Sequence, residues 1–102
     1  MYQKIKNKIV ESLDGLEYDK ILLFGSRARG ENRVNSDYDV MVTLKNNITR
    51  EDRFILQSKI RKVFAKDKID IDIVIKSIDE YDYLKTRIGN VVYYANKEAI
   101  TI

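Results

Sequence analysis

The chain has 102 residues, 44% apolar and 34% charged, which suits one packed core rather than a disordered chain. Nineteen basic residues against 16 acidic ones leave a net charge of +3, an excess that tolerates an anionic partner without demanding one. Cysteine and histidine are absent, which removes disulfide frames, thiolate or typical zinc sites, serine–histidine catalysis and histidine bases.

Acid–base or metal chemistry must therefore use carboxylates, lysines or tyrosines, and oxygen-only ligands select a hard cation, magnesium or manganese. No apolar stretch approaches the ~20 residues of a membrane span, and no signal-peptide core opens the chain, so a cytoplasmic location is expected. With no linker, repeat or proline to mark a boundary, residues 1–102 read as a single domain.

Tyr2 to Leu13 has the spacing of an amphipathic helix, with Ile5, Ile9, Val10 and Leu13 on one face and Gly15 as its stop. Lys20 to Phe24 is a short apolar run and predicts a buried strand, broken by Gly25. Asp37 to Leu44 predicts a second strand, ending at Asn46-Asn47. Thr49 caps the next helix, with Asp52 in the capping-box position, and Phe54, Ile55, Ile60, Val63 and Phe64 supply its apolar face.

Ile69 to Ile75 alternates strictly, which puts Ile69, Ile71 and Ile73 on one strand face and Asp70 and Asp72 on the other. Ser77 or Asp79 caps a last helix whose face would hold Leu84, Ile88, Val91, Val92 and Ala95, with Gly89-Asn90 weakening its middle. Tyr93-Tyr94 and the C-terminal apolar residues read as core or sheet edge, with a partner surface as the alternative. Ile100 to Ile102 predicts a short terminal strand. The expected fold is α+β: a small mixed β-sheet of three to four strands, with helices on one side.

The chemistry concentrates between the first two strands. Gly25 directly after a buried strand lets the backbone turn and approach a ligand. If Ser26 opens a helical turn, backbone amides and its hydroxyl point into one space that suits phosphate oxygens. Arg27 and Arg29 lie in the same turn, where one can act as a charge-assisted donor to a triphosphate. Asp37 and Asp39, two apart on a strand, emerge on one face with their backbones about 7 Å apart. Such paired carboxylates repel unless a divalent cation lies between them, as in two-metal phosphoryl transfer. Asp70 and Asp72 each offer a third carboxylate.

Gly25-Ser26, ten intervening residues and Asp37-Tyr38-Asp39 resemble the signature of the polymerase-β-like nucleotidyltransferase superfamily. The fuller Gly25-Ser26-Arg27-Ala28-Arg29-Gly30-Glu31, with Ser36-Asp37-Tyr38-Asp39-Val40, is similar to its minimal branch, the MNT proteins. Val34-Asn35 departs from it, standing where the family often has proline and an acidic residue.

The resemblance implies that Gly25 and Ser26 hold the nucleotide phosphates and that Asp37 and Asp39 bind two magnesium ions. It also implies a third carboxylate, Asp72 rather than its rival Asp70, because Asp72-Ile73-Val74 resembles the family's Asp-Leu-Val. In HEPN–MNT toxin–antitoxin systems the MNT protein transfers AMP from ATP to a tyrosine of a HEPN-domain ribonuclease. The implied function is thus an antitoxin acting on a HEPN partner by AMPylation, within a homo- or hetero-oligomer and without direct nucleic-acid binding. A module that masks its partner without catalysis, and nucleotidyl transfer to a small molecule, are the alternatives.

Overall fold

A computed structural model describes residues 2–34 and 36–102. Asn35, one of the two positions that depart from the MNT pattern, lies outside the described residues. The elements run α1 (Tyr2–Leu13), β1 (Tyr18–Phe24), α2 (Gly25–Arg29), β2 (Tyr38–Leu44), α3 (Arg50–Lys66), β3 (Ile71–Ser77), α4 (Ile78–Leu84), α5 (Val91–Glu98) and β4 (Ile100–Thr101). Four strands form one mixed sheet in the order β3-β2-β1-β4. β1 is antiparallel to β2 and to β4, whereas β2 and β3 are parallel. Parallel neighbours require a crossover, and α3 supplies it.

The period-two alternation of the strands sorts the core into two layers, so the expected placement of helices on one side only is corrected. On one face, Ile21, Leu23, Val40, Val42, Leu44, Ile73 and Ile75 pack against Ile5, Ile9 and Leu13 of α1 and Leu56, Ile60 and Phe64 of α3. On the other, Leu22, Phe24 and Met41 pack against Tyr81 of α4 and Val92 and Ala95 of α5. The sheet is apolar on both faces, and a single helical layer would leave one of them wet.

Other boundaries differ for local reasons. β3 begins at Ile71 rather than Ile69, because the Ile69 amide bonds the Phe64 carbonyl at 3.1 Å and Lys68 takes a left-handed φ of 58°. The buried stripe of α3 is Leu56, Ile60 and Phe64, and Phe54 and Ile55 are exposed at 66% and 63%. Thr49 does cap α3, its hydroxyl accepting from the Asp52 amide at 3.0 Å. The single last helix is two: Gly89 adopts φ 101°, Asn90 caps α5 by accepting from the Tyr93 amide at 3.0 Å, and Ile88 lies exposed between them. Tyr93 and Tyr94 meet edge to face at 5.2 Å, Tyr93 half-buried and Tyr94 exposed.

Ser77 closes a full capping box on α4: Ser77 Oγ accepts from the Glu80 amide, and Glu80 Oε1 accepts from the Ser77 amide, both at 3.1 Å. Arg53 of α3 grips the same carboxylate with two bonds, at 2.6 and 3.1 Å. Helices on opposite faces are thereby clasped around the edge strand β3. Arg53, with the Ser77 amide adding to it, holds the Glu80 carboxyl at about 2, against an ordinary 4.5.

A depressed folded pKa stabilises the protein fully above the ordinary value, and that stabilisation is lost as pH falls towards 2. Arg53→Ala should cost about 0.5–1.5 kcal/mol at neutral pH, a range limited by solvent screening of the part-exposed pair. It should also flatten the acid limb between pH 4.5 and 2. Circular dichroism melts across that window check both effects.

Candidate active site

The backbone brings the candidate residues to one end of the sheet. Antiparallel pairing sets Asp39 beside Phe24, the last residue before the Gly25 turn. Parallel pairing sets Asp39 beside Asp72. Two strands far apart in the chain thus deliver two carboxylates side by side, on the sheet face that α4 and α5 cover farther along. Asp70 precedes β3; its carbonyl accepts from the Tyr38 amide at 3.0 Å. Asp70 lines a neighbouring cleft with Arg27, Ser36, Tyr38 and Lys68. Asp37 is exposed, immediately before β2, and close enough for its charge to act on Asp39.

Gly25 is the tightest point of the site. Its φ of 74° is left-handed, and a Cβ there would stand 2.1 Å from Asp39 Oδ2. The glycine therefore lets the turn close directly onto the carboxylate. Ser26 follows, half-buried, as the second residue of α2.

The two arginines of this turn diverge. Arg27 stacks over the Tyr38 ring at 3.8 Å and donates to the Ser36 carbonyl at 2.7 and 3.1 Å, holding the loop that leads to Asp37. Arg29 instead pairs with Glu98 at 2.8 Å and Glu31 at 3.4 Å. Glu98, the last residue of α5, also accepts from the Gly25 amide at 2.9 Å. Nothing in the local sequence marks Glu98 for this role. It reaches the turn only because α5 packs on Phe24 and Leu22 and β4 pairs with Leu22 and Leu23.

The electrostatics are unbalanced at Asp39. Burial pushes its carboxyl above the ordinary 3.8, the Asp72 and Asp37 charges push it further, and Arg29 opposes them. Asp72 has a looser counter-charge, Arg61 at 3.8 Å, with both side chains largely exposed. Glu98 moves the other way, held low first by its bond to Arg29 and then by the Gly25 amide.

In kind, the donor set fits a hard divalent cation: oxygens only, with mutual repulsion that a cation would relieve. Among the described residues no three carboxylates already converge as a closed cage.

Several solved structures share this fold. A protein described as a minimal nucleotidyltransferase superposes with a TM-score of 0.63 at 23% identity, over 99% of this chain and 92% of its own. A chain of a toxin–antitoxin complex with AMP-PNP gives 0.59 at 22% identity, over 94% and 70%. A chain from the complex of the tri-AMPylated Shewanella oneidensis HEPN toxin with its MNT antitoxin gives 0.55 at 22% identity, over 99% and 71%. No curated protein sequence gives a significant match. The sequence model described as "Polymerase beta, Nucleotidyltransferase" matches residues 3–98, and with nearly the whole length covered the chain belongs to the polymerase β nucleotidyltransferase family.

Proposed function

We propose that the protein transfers AMP from ATP to a hydroxyl of a HEPN-domain partner, a tyrosine by family analogy, and acts as the partner's antitoxin. The observation that carries this reading is the pairing of Asp39 with both Phe24 and Asp72, which gathers the carboxylates beside the Gly25 turn. The structural likeness to toxin–antitoxin chains, one with AMP-PNP and one with an AMPylated HEPN toxin, supports the choice of donor and partner.

In this reading Gly25 and Ser26 hold the β- and γ-phosphates, with Arg29 as a charge-assisted donor. Asp37, Asp39 and Asp72 would hold two magnesium ions. Bound there, the cations would neutralise phosphate charge and lower the pKa of the attacking hydroxyl. Asp72 would take the hydroxyl proton. The new bond joins that oxygen to the α-phosphorus, and the bond to the β-phosphate oxygen breaks as pyrophosphate leaves. Positioning and charge neutralisation do most of the work in such a transfer.

The test is to incubate the protein with α-labelled ATP, magnesium and a HEPN-domain partner, and to look for label on the partner. Asp72→Asn should lower labelling by about 100-fold or more, whereas Asp70→Asn should stay within about threefold of wild type. The reverse pattern would move the third carboxylate to Asp70. Absence of label from wild type, with neutralisation kept by Asp37→Ala/Asp39→Ala, would replace enzymatic silencing by masking.

A further inference from the structure

Glu98 occupies an unusual position. It closes α5, and a helix C-terminus disfavours a negative charge. The carboxylate is kept there by two donors on a distant segment: the Gly25 amide at 2.9 Å on Oε1 and Arg29 Nη1 at 2.8 Å on Oε2. One backbone N–H and one guanidinium, each on its own oxygen, is also the donor set that two phosphate oxygens would take. Both donors belong to the turn read above as the phosphate-binding element. A phosphate and the Glu98 carboxylate cannot use the same two hydrogens together.

From this geometry we infer that Glu98 is an internal stand-in for phosphate, occupying the Gly25 amide and Arg29 until the nucleotide's phosphates displace it. The inference rests on reading Gly25–Arg29 as the phosphate site. Its consequence is that ATP binds against a built-in competitor. While Glu98 is seated, the binding-competent fraction is small, and the apparent affinity falls by that fraction. The same contact orients Arg29 along the turn and satisfies the Gly25 amide beside Asp39. The turn is thus held in shape at the expense of affinity.

Glu98→Gln keeps an acceptor for the amide and removes the charge that grips Arg29. Glu98→Asp keeps the charge on a side chain one methylene shorter, which draws the carboxylate back from both donors. Titration calorimetry of the full chain, with ATP–magnesium and separately with inorganic tripolyphosphate, should give about tenfold tighter binding of both probes to either variant. If ATP binds wild type but neither folded variant binds it more tightly, the competition is refuted and the nucleotide reading stands. If folded wild type and variants all fail to bind ATP, the nucleotide reading and the competition fall together. Tightening of ATP without tightening of tripolyphosphate would place Glu98 against the base or sugar and overturn the inference as stated.

Discussion

Asp39→Asn should abolish nucleotidyl transfer and yet make the protein harder to melt. The lost activity follows from removing the carboxylate that the sheet places beside both the Gly25 turn and Asp72, and a fall of about 100- to 1,000-fold is expected. The gain in stability follows from the same placement. Burial and the charges of Asp72 and Asp37 raise the Asp39 carboxyl above its ordinary 3.8, so at neutral pH the ionised group opposes folding.

A raised folded pKa stabilises the protein below the ordinary value, and that stabilisation is lost as pH rises through the folded one. The variant's advantage should therefore be absent below pH 3.8, emerge as pH rises through Asp39's raised pKa, and persist at pH 7. In a domain of this length each kcal/mol of relief moves Tm by about 4–8 °C. Millimolar magnesium should raise the melting temperature of wild type at pH 7 and leave the variant nearly unmoved. Scanning calorimetry with and without the cation reads both effects, and a variant less stable than wild type at pH 7 would refute the electrostatic account.

Gly25→Ala should damage both stability and activity, and Gly30→Ala separates the causes. Both glycines have left-handed φ, 74° and 72°, so alanine at either strains the backbone by about 1–2 kcal/mol. Beyond that the positions differ. Nothing lies within 4 Å of a Cβ at Gly30, whereas at Gly25 it would meet Asp39 Oδ2 at 2.1 Å and Cγ at 2.9 Å. Asp39 must then turn away or the strand must shift, and a displacement of about 1 Å at a reacting centre costs roughly 100-fold. Gly30→Ala should thus destabilise the fold with transfer largely kept. Gly25→Ala should lose more stability and at least about 100-fold in labelling. Equal activity in the two variants would remove Gly25 from the site.

Much of this arrangement is legible in the chain because local chemistry dictates it. The α1 stripe at Ile5, Ile9 and Leu13 (Val10, expected on it, is exposed), the Thr49 cap, Ser77 as one of two candidate caps and the glycine after an apolar run each rest on residues a few positions apart. What the sequence hides depends on register or on distant packing. Alternation gives Asp70 and Asp72 the same face and cannot choose between them; only the parallel register sets Asp72 opposite Asp39. The apolar residues of α3 are numerous enough to suggest a wider face, and the sheet accepts only the stripe at Leu56, Ile60 and Phe64. The second helical layer is hidden because strands buried on both faces look like continuous apolar runs, as Ile21 to Phe24 does. Glu98 is invisible for a related reason: its meaning lies in Gly25 and Arg29, 73 and 69 positions away in the chain.

The parallel pairing of β2 and β3 also gives the site a place in time. Asp39 and Asp72 become neighbours only after α3 has crossed over the sheet and β3 has docked, a non-local closure of the kind that slows folding. Their repulsion is therefore absent until β3 has paired with β2. If that pairing follows the folding transition state, relieving the repulsion, by substitution or by a bound cation, should slow unfolding more than it speeds assembly.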